Sequence, residues 1–266
     1  AVIAFKDFRL GDTIFSAPWV GLKWFKEFFS SMYFWRLMKN TLLINFYSLI
    51  FGFPIPIIFA LVVNEIRIRK FKKLVQTISY MPYFISTVIV VGILHNFFGY
   101  NHGIVNNIIE SMGYERIRFF MESQYFRPLY IGSGIWQSFG YSSIIYIAAM
   151  SGVNVELYEA AVIDGANRLQ QIWHITLPAI RPTIVILLIL NVGRLMSEGF
   201  EKIILMYSPA TYEVADVIST YVYRRGLIDM EYSFSTAIGL YNSVINFLLL
   251  VVANAASRRI SGVSLW

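Results

Sequence analysis

The 266-residue chain contains no cysteine, which excludes disulfides, thiol nucleophiles and cysteine-ligated metals. Charged residues are scarce as well, at 14%, against about 25% in soluble domains. The three histidines, His95, His102 and His174, show no metal-ligand spacing, and a zinc site needs three or four ligands. No Gly-x-x-x-x-Gly-Lys phosphate loop occurs, so the chain is not expected to bind or hydrolyse ATP. No Gly-x-Ser-x-Gly turn supports a hydrolase. Enzymatic chemistry is therefore not expected. The chain opens on Ala1 with AVIAFKDF, without an initiator methionine, a basic leader or a cleavage site. A signal peptide is not expected, whereas a preceding segment is.

What is abundant is apolar: hydrophobic residues make up 57% and aromatics 17%, with a mean hydropathy of +0.58. This is the composition of a polytopic membrane protein. Stretches 40–64, 74–98, 128–152 and 232–257 carry no charge and reach the roughly 20 residues a spanning helix needs. A fifth is less clean. The uncharged run between Arg181 and Arg194 is short, so its helix is predicted to continue through Arg194 and Glu198 to about Phe200. Pro54, Pro56 and Pro82 are predicted to kink their helices. The expected fold is all-α: one transmembrane domain over 1–266 with a polar loop at 153–180 inside it.

Orientation rests on Glu65 to Lys73, EIRIRKFKK, where Arg67, Arg69, Lys70, Lys72 and Lys73 crowd one short link. The positive-inside rule makes that link cytoplasmic. Alternation then puts 99–127 outside, 153–180 inside, 201–231 outside and the Arg258-Arg259 tail inside. The net charge of +6 is in keeping with such orientation signals at lipid headgroups.

The stretch from Glu159 to Pro178, EAAVIDGANRLQQIWHITLP, is more than a connector. Asn154 can cap a helix whose first turn holds Glu156, with Glu159 a turn later, both suited to a positive helix N-terminus. Asp164-Gly165 reads as its stop. Ala160 and Ala161 allow close approach of another surface, while Leu157, Tyr158 and Ile163 offer apolar contact. A second short helix is predicted from Arg168 to Leu177, ended by Pro178. Caps and spacing alone do not identify a partner, and an ordinary amphipathic surface helix carries the same marks.

Glu159-Ala160-Ala161, Gly165, Ile175, Leu177 and Pro178 together match EAA-x3-G-x9-I-x-L-P, and on this motif the chain resembles the permease subunits of binding-protein-dependent ATP-binding cassette importers. AFKDF at Ala4, PWVGL at Pro18, FRPLYI at Phe126, GIWQSFGYSSIIYIAAMSGV, DVISTYVYRRGL at Asp216 and the terminal SLW are similar to the polysaccharide and oligosaccharide branch. The resemblance implies the type I importer permease fold, with five spans here and a first span missing before AFKDF. It also implies a bacterial cytoplasmic (inner) membrane location, a second related permease, two cytoplasmic ATPase subunits that bind ATP and magnesium, and an external solute-binding protein. The loop would be the coupling helix, with Leu157, Glu159, Ala160, Ala161, Ile163 and Gly165 meeting an ATPase.

Ionisable groups within a span cost roughly 2.5 to 3.5 kcal/mol at a helix centre, which makes Arg194 and Glu198 functional candidates. Spaced i and i+4, they also suit a simple salt bridge. Asn191, Arg194 and Glu198 would share one helical face, and Gly134, Gln137 and Tyr141 another. Resemblance to the maltose member of the family implies that Gln137, Tyr141, Asn191, Arg194 and Glu198 line the sugar pathway. Tyr141 would suit stacking on a sugar ring, or ordinary helix packing. Arg194 suits a carboxylated sugar, and Glu198 argues for a neutral one. On residue chemistry alone, an importer for peptides or amino acids stays open, as does a secondary transporter or receptor working without an ATPase.

Overall fold

A computed structural model describes residues 1–9, 11–197 and 199–266. Among them every extended element is helical, apart from one isolated antiparallel bridge between Lys6 and Trp19. In chain order the helices are α1 (Lys23–Ser30), α2 (Phe34–Gly52), α3 (Pro54–Asn64), α4 (Arg69–Tyr80), α5 (Thr87–Phe98), α6 (Ile104–Ser111), α7 (Ser123–Ser151), α8 (Val155–Ile163), α9 (Arg168–Gln171) and α10 (Leu177–Val192). The last four are α11 (Phe200–Met206), α12 (Tyr212–Ala215), α13 (Ile218–Tyr223) and α14 (Tyr232–Ser261).

Among the described residues, three helical stretches are long and apolar enough to cross a membrane: Phe34–Asn64, Arg168–Val192 and Tyr232–Ser261. The first is predicted well, and Pro54 opens α3 at a position where a missing N–H is an orphan anyway. The expected span 74–98 is not one kinked helix. α4 and α5 are bent by 101° around a 3-10 turn at Met81–Phe84. Pro82 interrupts the hydrogen-bond ladder, Ile85 turns extended, and Ser86 starts a new helix by accepting from the Ile89 N–H at 3.5 Å. The basic link is also shorter than expected, because Arg69 to Lys73 already form the first turns of α4. α7 begins at Ser123 rather than 128 and runs 29 residues, about 43 Å at 1.5 Å per residue. Its serines, glutamine and glycines leave it less apolar than the three clear spans.

Two further expectations are corrected. Pro178 does not end the helix that starts at Arg168. A π-helical turn at Ile172–Thr176 leads straight into α10, and widening the ladder just before Pro178 lets its ring enter a turn where no donor is required. At the other end α10 stops at Val192, short of Arg194. The Arg194–Ser197 backbone forms a turn of its own, with the Ser197 N–H on the Arg194 carbonyl at 2.8 Å. Side chains of α14 hold that turn: Asn246 Oδ1 accepts from the Met196 N–H at 3.0 Å, and Asn242 Nδ2 donates to the Met196 carbonyl at 2.9 Å. Arg194 and Asn191 thus do not share one helical face. Glu198 lies outside the described residues.

The chain divides into two compact units. One comprises residues 1–47, 86–133 and 193–249, with a core of Phe28, Leu37, Met196, Ile218, Tyr221, Phe234 and Ile238. The other comprises 48–85, 134–192 and 250–266, with a core of Ala60, Tyr146, Met150 and Ile180.

Candidate functional site

The polar loop folds as its local chemistry dictates. Asn154 Oδ1 accepts from the Glu156 N–H at 3.0 Å, capping α8 with Glu156 in the first turn. The helix ends in a Schellman motif: the Ala166 N–H returns to the Ala161 carbonyl at 2.8 Å and the Gly165 N–H to Val162 at 3.1 Å. This closure needs a left-handed residue, and Gly165 supplies it at φ +79°. Asn167 and Gln170 then form a reciprocal capping box that starts α9, at 2.7 and 3.0 Å. The Tyr158 hydroxyl meets Thr176 Oγ1 at 2.8 Å, which fixes α8 against the π-helical turn.

No residue of α8 is buried. Leu157, Val162 and Ile163 stand exposed at 52%, 60% and 86%, Glu159 and Ala160 are exposed, and Ala161 is half-buried. Apart from Tyr158 and Ala161, which are half-buried against the chain, the apolar side chains of this capped helix are presented outward. Between the Gly165 turn and the π-helical turn lies a cleft of about 260 Å³ lined by residues such as Ala161, Asp164, Gln170 and His174.

In the same unit, Gln137 and Tyr141 meet the break between α4 and α5. Gln137 Nε2 donates to the Ile85 carbonyl at 2.9 Å, satisfying a group freed by the broken helix. Tyr141 stacks on Tyr83 with centroids 3.9 Å apart and planes within 4°, and Phe84 packs edge-on at 6.0 Å. All three rings are partly exposed, at 41%, 45% and 75%. Asn191 is spent locally, donating to the Leu187 carbonyl at 2.8 Å. In the other unit, Arg194 is exposed on the turn that Asn242 and Asn246 hold. Sequence reading missed Tyr83 and Phe84, although Pro82 followed by Ser86 carried the signal of a break. It also missed Asn242 and Asn246, for which no local signal exists.

Residues 52–262 match the family model described as binding-protein-dependent transport system inner membrane component. The chain belongs to this family. The permease is 44% identical over 258 residues to the polygalacturonan/rhamnogalacturonan transport system permease protein YteP of Bacillus subtilis (strain 168), covering 97% of this chain and 80% of that one. It is 42% identical over 258 residues to Protein LplB of the same organism, covering 97% and 81%. Among solved structures, it matches a chain of a bacterial ABC transporter involved in import of the acidic polysaccharide alginate, with TM-score 0.89, 47% identity and 93% and 86% of the two chains covered. A second structure, of the bacterial alginate ABC transporter in complex with alginate pentasaccharide-bound periplasmic protein, matches with TM-score 0.88, 46% identity and 92% and 85% coverage. The fold is that of an ABC importer permease, and the loop 153–180 lies wholly within the family match.

Proposed function

We propose that this permease forms half of the translocation pathway of an ATP-driven, binding-protein-dependent importer of acidic oligo- or polysaccharides in the bacterial inner membrane. The observation that carries the reading is the likeness, over nearly the whole chain, to a permease named for polygalacturonan/rhamnogalacturonan transport and to a transporter named for the acidic polysaccharide alginate. A second, related permease completes the pathway, two cytoplasmic ATPase subunits bind ATP and magnesium, and an external solute-binding protein delivers the saccharide. This chain supplies no ATP site. The basic residues Arg67 to Lys73, the 153–180 loop and the C-terminus face the cytoplasm.

The exposed face of α8, with Leu157, Glu159, Ala160, Ala161 and Ile163, seats in the ATPase, and the Gly165 turn fixes the angle at which α8 leaves the next helix. A side chain at Gly165 would meet nothing within 4 Å, so the cost of substitution is the positive φ alone, about 1–2 kcal/mol for an L-residue. Gly165→Val is expected to leave membrane insertion intact and to lower transport per ATP hydrolysed about tenfold. Normal coupling at normal expression would sink this role.

Gln137, Tyr141, Asn191, Arg194 and Glu198 are assigned to cargo recognition on the family resemblance, with arginine suited to bidentate carboxylate recognition. The test is uptake of a uronate oligosaccharide and of a neutral one, by wild type and by Arg194→Met, which keeps length and removes charge. Wild type should favour the uronate, and the variant should lose uronate uptake selectively, by about tenfold for one charged hydrogen bond. Equal loss for both cargoes would refute charge recognition at Arg194. A wild type that prefers the neutral cargo would refute the acidic reading itself.

A further inference from the structure

The unit containing residues 193–249 gathers cations around one carboxylate. Asp216 has no exposed surface, and its oxygens accept from Arg224 Nη2 at 2.7 and 2.8 Å, from Thr220 Oγ1 at 2.8 Å and from Arg36 Nη2 at 3.2 Å. Arg224 is well occupied. It also donates to the Tyr207 hydroxyl at 3.3 Å and lies 5.1 Å from the Tyr212 ring centroid.

The other two guanidiniums are not. Arg36 gives Asp216 a single hydrogen bond, and its Nε is buried without an acceptor. Arg127 donates from Nη2 to Asn40 Oδ1 at 2.9 Å, and its Nε is likewise buried without an acceptor. Asn40, 1% exposed, is held by donating to the carbonyls of Glu213 and Asp216 at 2.8 and 2.9 Å. Arg36 and Asn40 sit one turn apart on α2, so Arg127 reaches this helix within a turn of Arg36. One turn along α7, the Tyr130 carbonyl accepts from buried Lys202 Nζ at 3.0 Å.

Among the described residues, Arg36 and Arg224 bond Asp216 directly, and Arg127 joins the same network through Asn40, which itself donates to the Asp216 carbonyl. Buried charge is normally paired, and an arginine fork with idle donors is shaped for a carboxylate. Arg36 keeps 35% of its side chain exposed, with the Tyr33 ring centroid 5.1 Å away.

We propose that Arg36 and Arg127 form a subsite that receives a carboxylate of a uronate residue on the incoming saccharide. This rests on the acidic-cargo reading above and adds a second point of carboxylate recognition, separate from Arg194. A sugar ring on Tyr33 would bring its carboxylate to the Arg36 fork, and Arg127 would take the second oxygen or the next residue's carboxylate. Neutral sugars offer neither fork a charge.

The test uses the full transporter in vesicles with its binding protein. Trigalacturonate and its methyl-esterified form, which has the same shape without the charges, are compared in wild type, Arg127→Gln and Arg127→Lys. The wild-type preference in kcat/KM for the free acid is expected to fall about tenfold in Arg127→Gln, through KM. Arg127→Lys, which keeps the charge but loses the fork, is expected to fall between the two. If the Gln variant fails to assemble, the Lys variant alone decides. An unchanged acid-to-ester ratio in every variant that assembles would overturn the subsite while leaving the acidic-cargo reading standing. A wild type indifferent to esterification would overturn the cargo reading, and the subsite with it.

Discussion

Gly140→Val is expected to prevent the folded permease from accumulating. α7 crosses α4 at this glycine, and a Cβ placed there would overlap the backbone carbonyl oxygen of Ser79 and lie 2.5 Å from its carbonyl carbon and 3.0 Å from its Cβ. The obstacle is backbone rather than the tip of a flexible side chain. The two helices would have to move apart, and overpacking of that kind costs about 1–3 kcal/mol or more. Valine, with two further methyls on the clashing carbon, should exceed the upper figure. Gly132→Ala provides the control on the same helix, because a Cβ at Gly132 meets nothing within 4 Å. Replacing glycine by alanine in a helix stabilises by roughly 0.5–1 kcal/mol. Yield and thermal stability of the purified transporter should separate the two variants sharply. Equal behaviour would mean that α4 and α7 do not approach at Gly140.

Asp216→Leu should be nearly as damaging. The carboxylate is the shared acceptor of Arg36, Arg224 and Thr220, and it ties α2 to α13 and the π-helical turn at Arg224–Ile228. Removing one member of a buried ion pair costs about 3–5 kcal/mol, because the other charge stays behind. Arg36 and Arg224 keep 35% and 24% of their side chains exposed, and solvent screening pulls the figure to the lower end, about 3 kcal/mol. The double variant Asp216→Leu with Arg224→Met should recover part of the loss by removing the stranded charge. Thermal unfolding of both in detergent checks this: a double variant no more stable than the single one would show that charge is not what Asp216 contributes.

The parts legible in the sequence are those specified by neighbours along the chain. Asn154 caps the helix that Glu156 opens, and Asp164-Gly165 marks a stop that becomes a Schellman turn at φ +79°. Each needs only residues within one turn of itself. Uncharged runs likewise locate α2 with α3, and α14. What stayed hidden depends on distant partners. The turn that follows α10 is held at Met196 by Asn242 and Asn246, about 50 residues later, and nothing in TIVILLILNVGRLM announces them. Pro178 reads as a stop by local rules, yet the π-helical turn before it carries the helix through. Pro82 correctly signals a disturbance. Its size, 101°, is supported by Gln137 on the Ile85 carbonyl and by Tyr141 on Tyr83, contacts made across more than 50 positions. Sugar-pathway candidates Gln137 and Tyr141 are therefore also the residues that brace the broken helix, and variants at either must be scored for assembly before transport.

The central claim, that this chain is the pathway half of an acidic-saccharide importer, is tested most directly by ATP hydrolysis in the reconstituted transporter. The measurement is the rate with the two permeases, the ATPase subunits and the binding protein together, first with the binding protein empty, then loaded with a uronate oligosaccharide, then with a neutral one of equal length. The account predicts stimulation by the uronate-loaded form above both others. Equal rates in all three conditions, or stimulation by the neutral cargo alone, would contradict it.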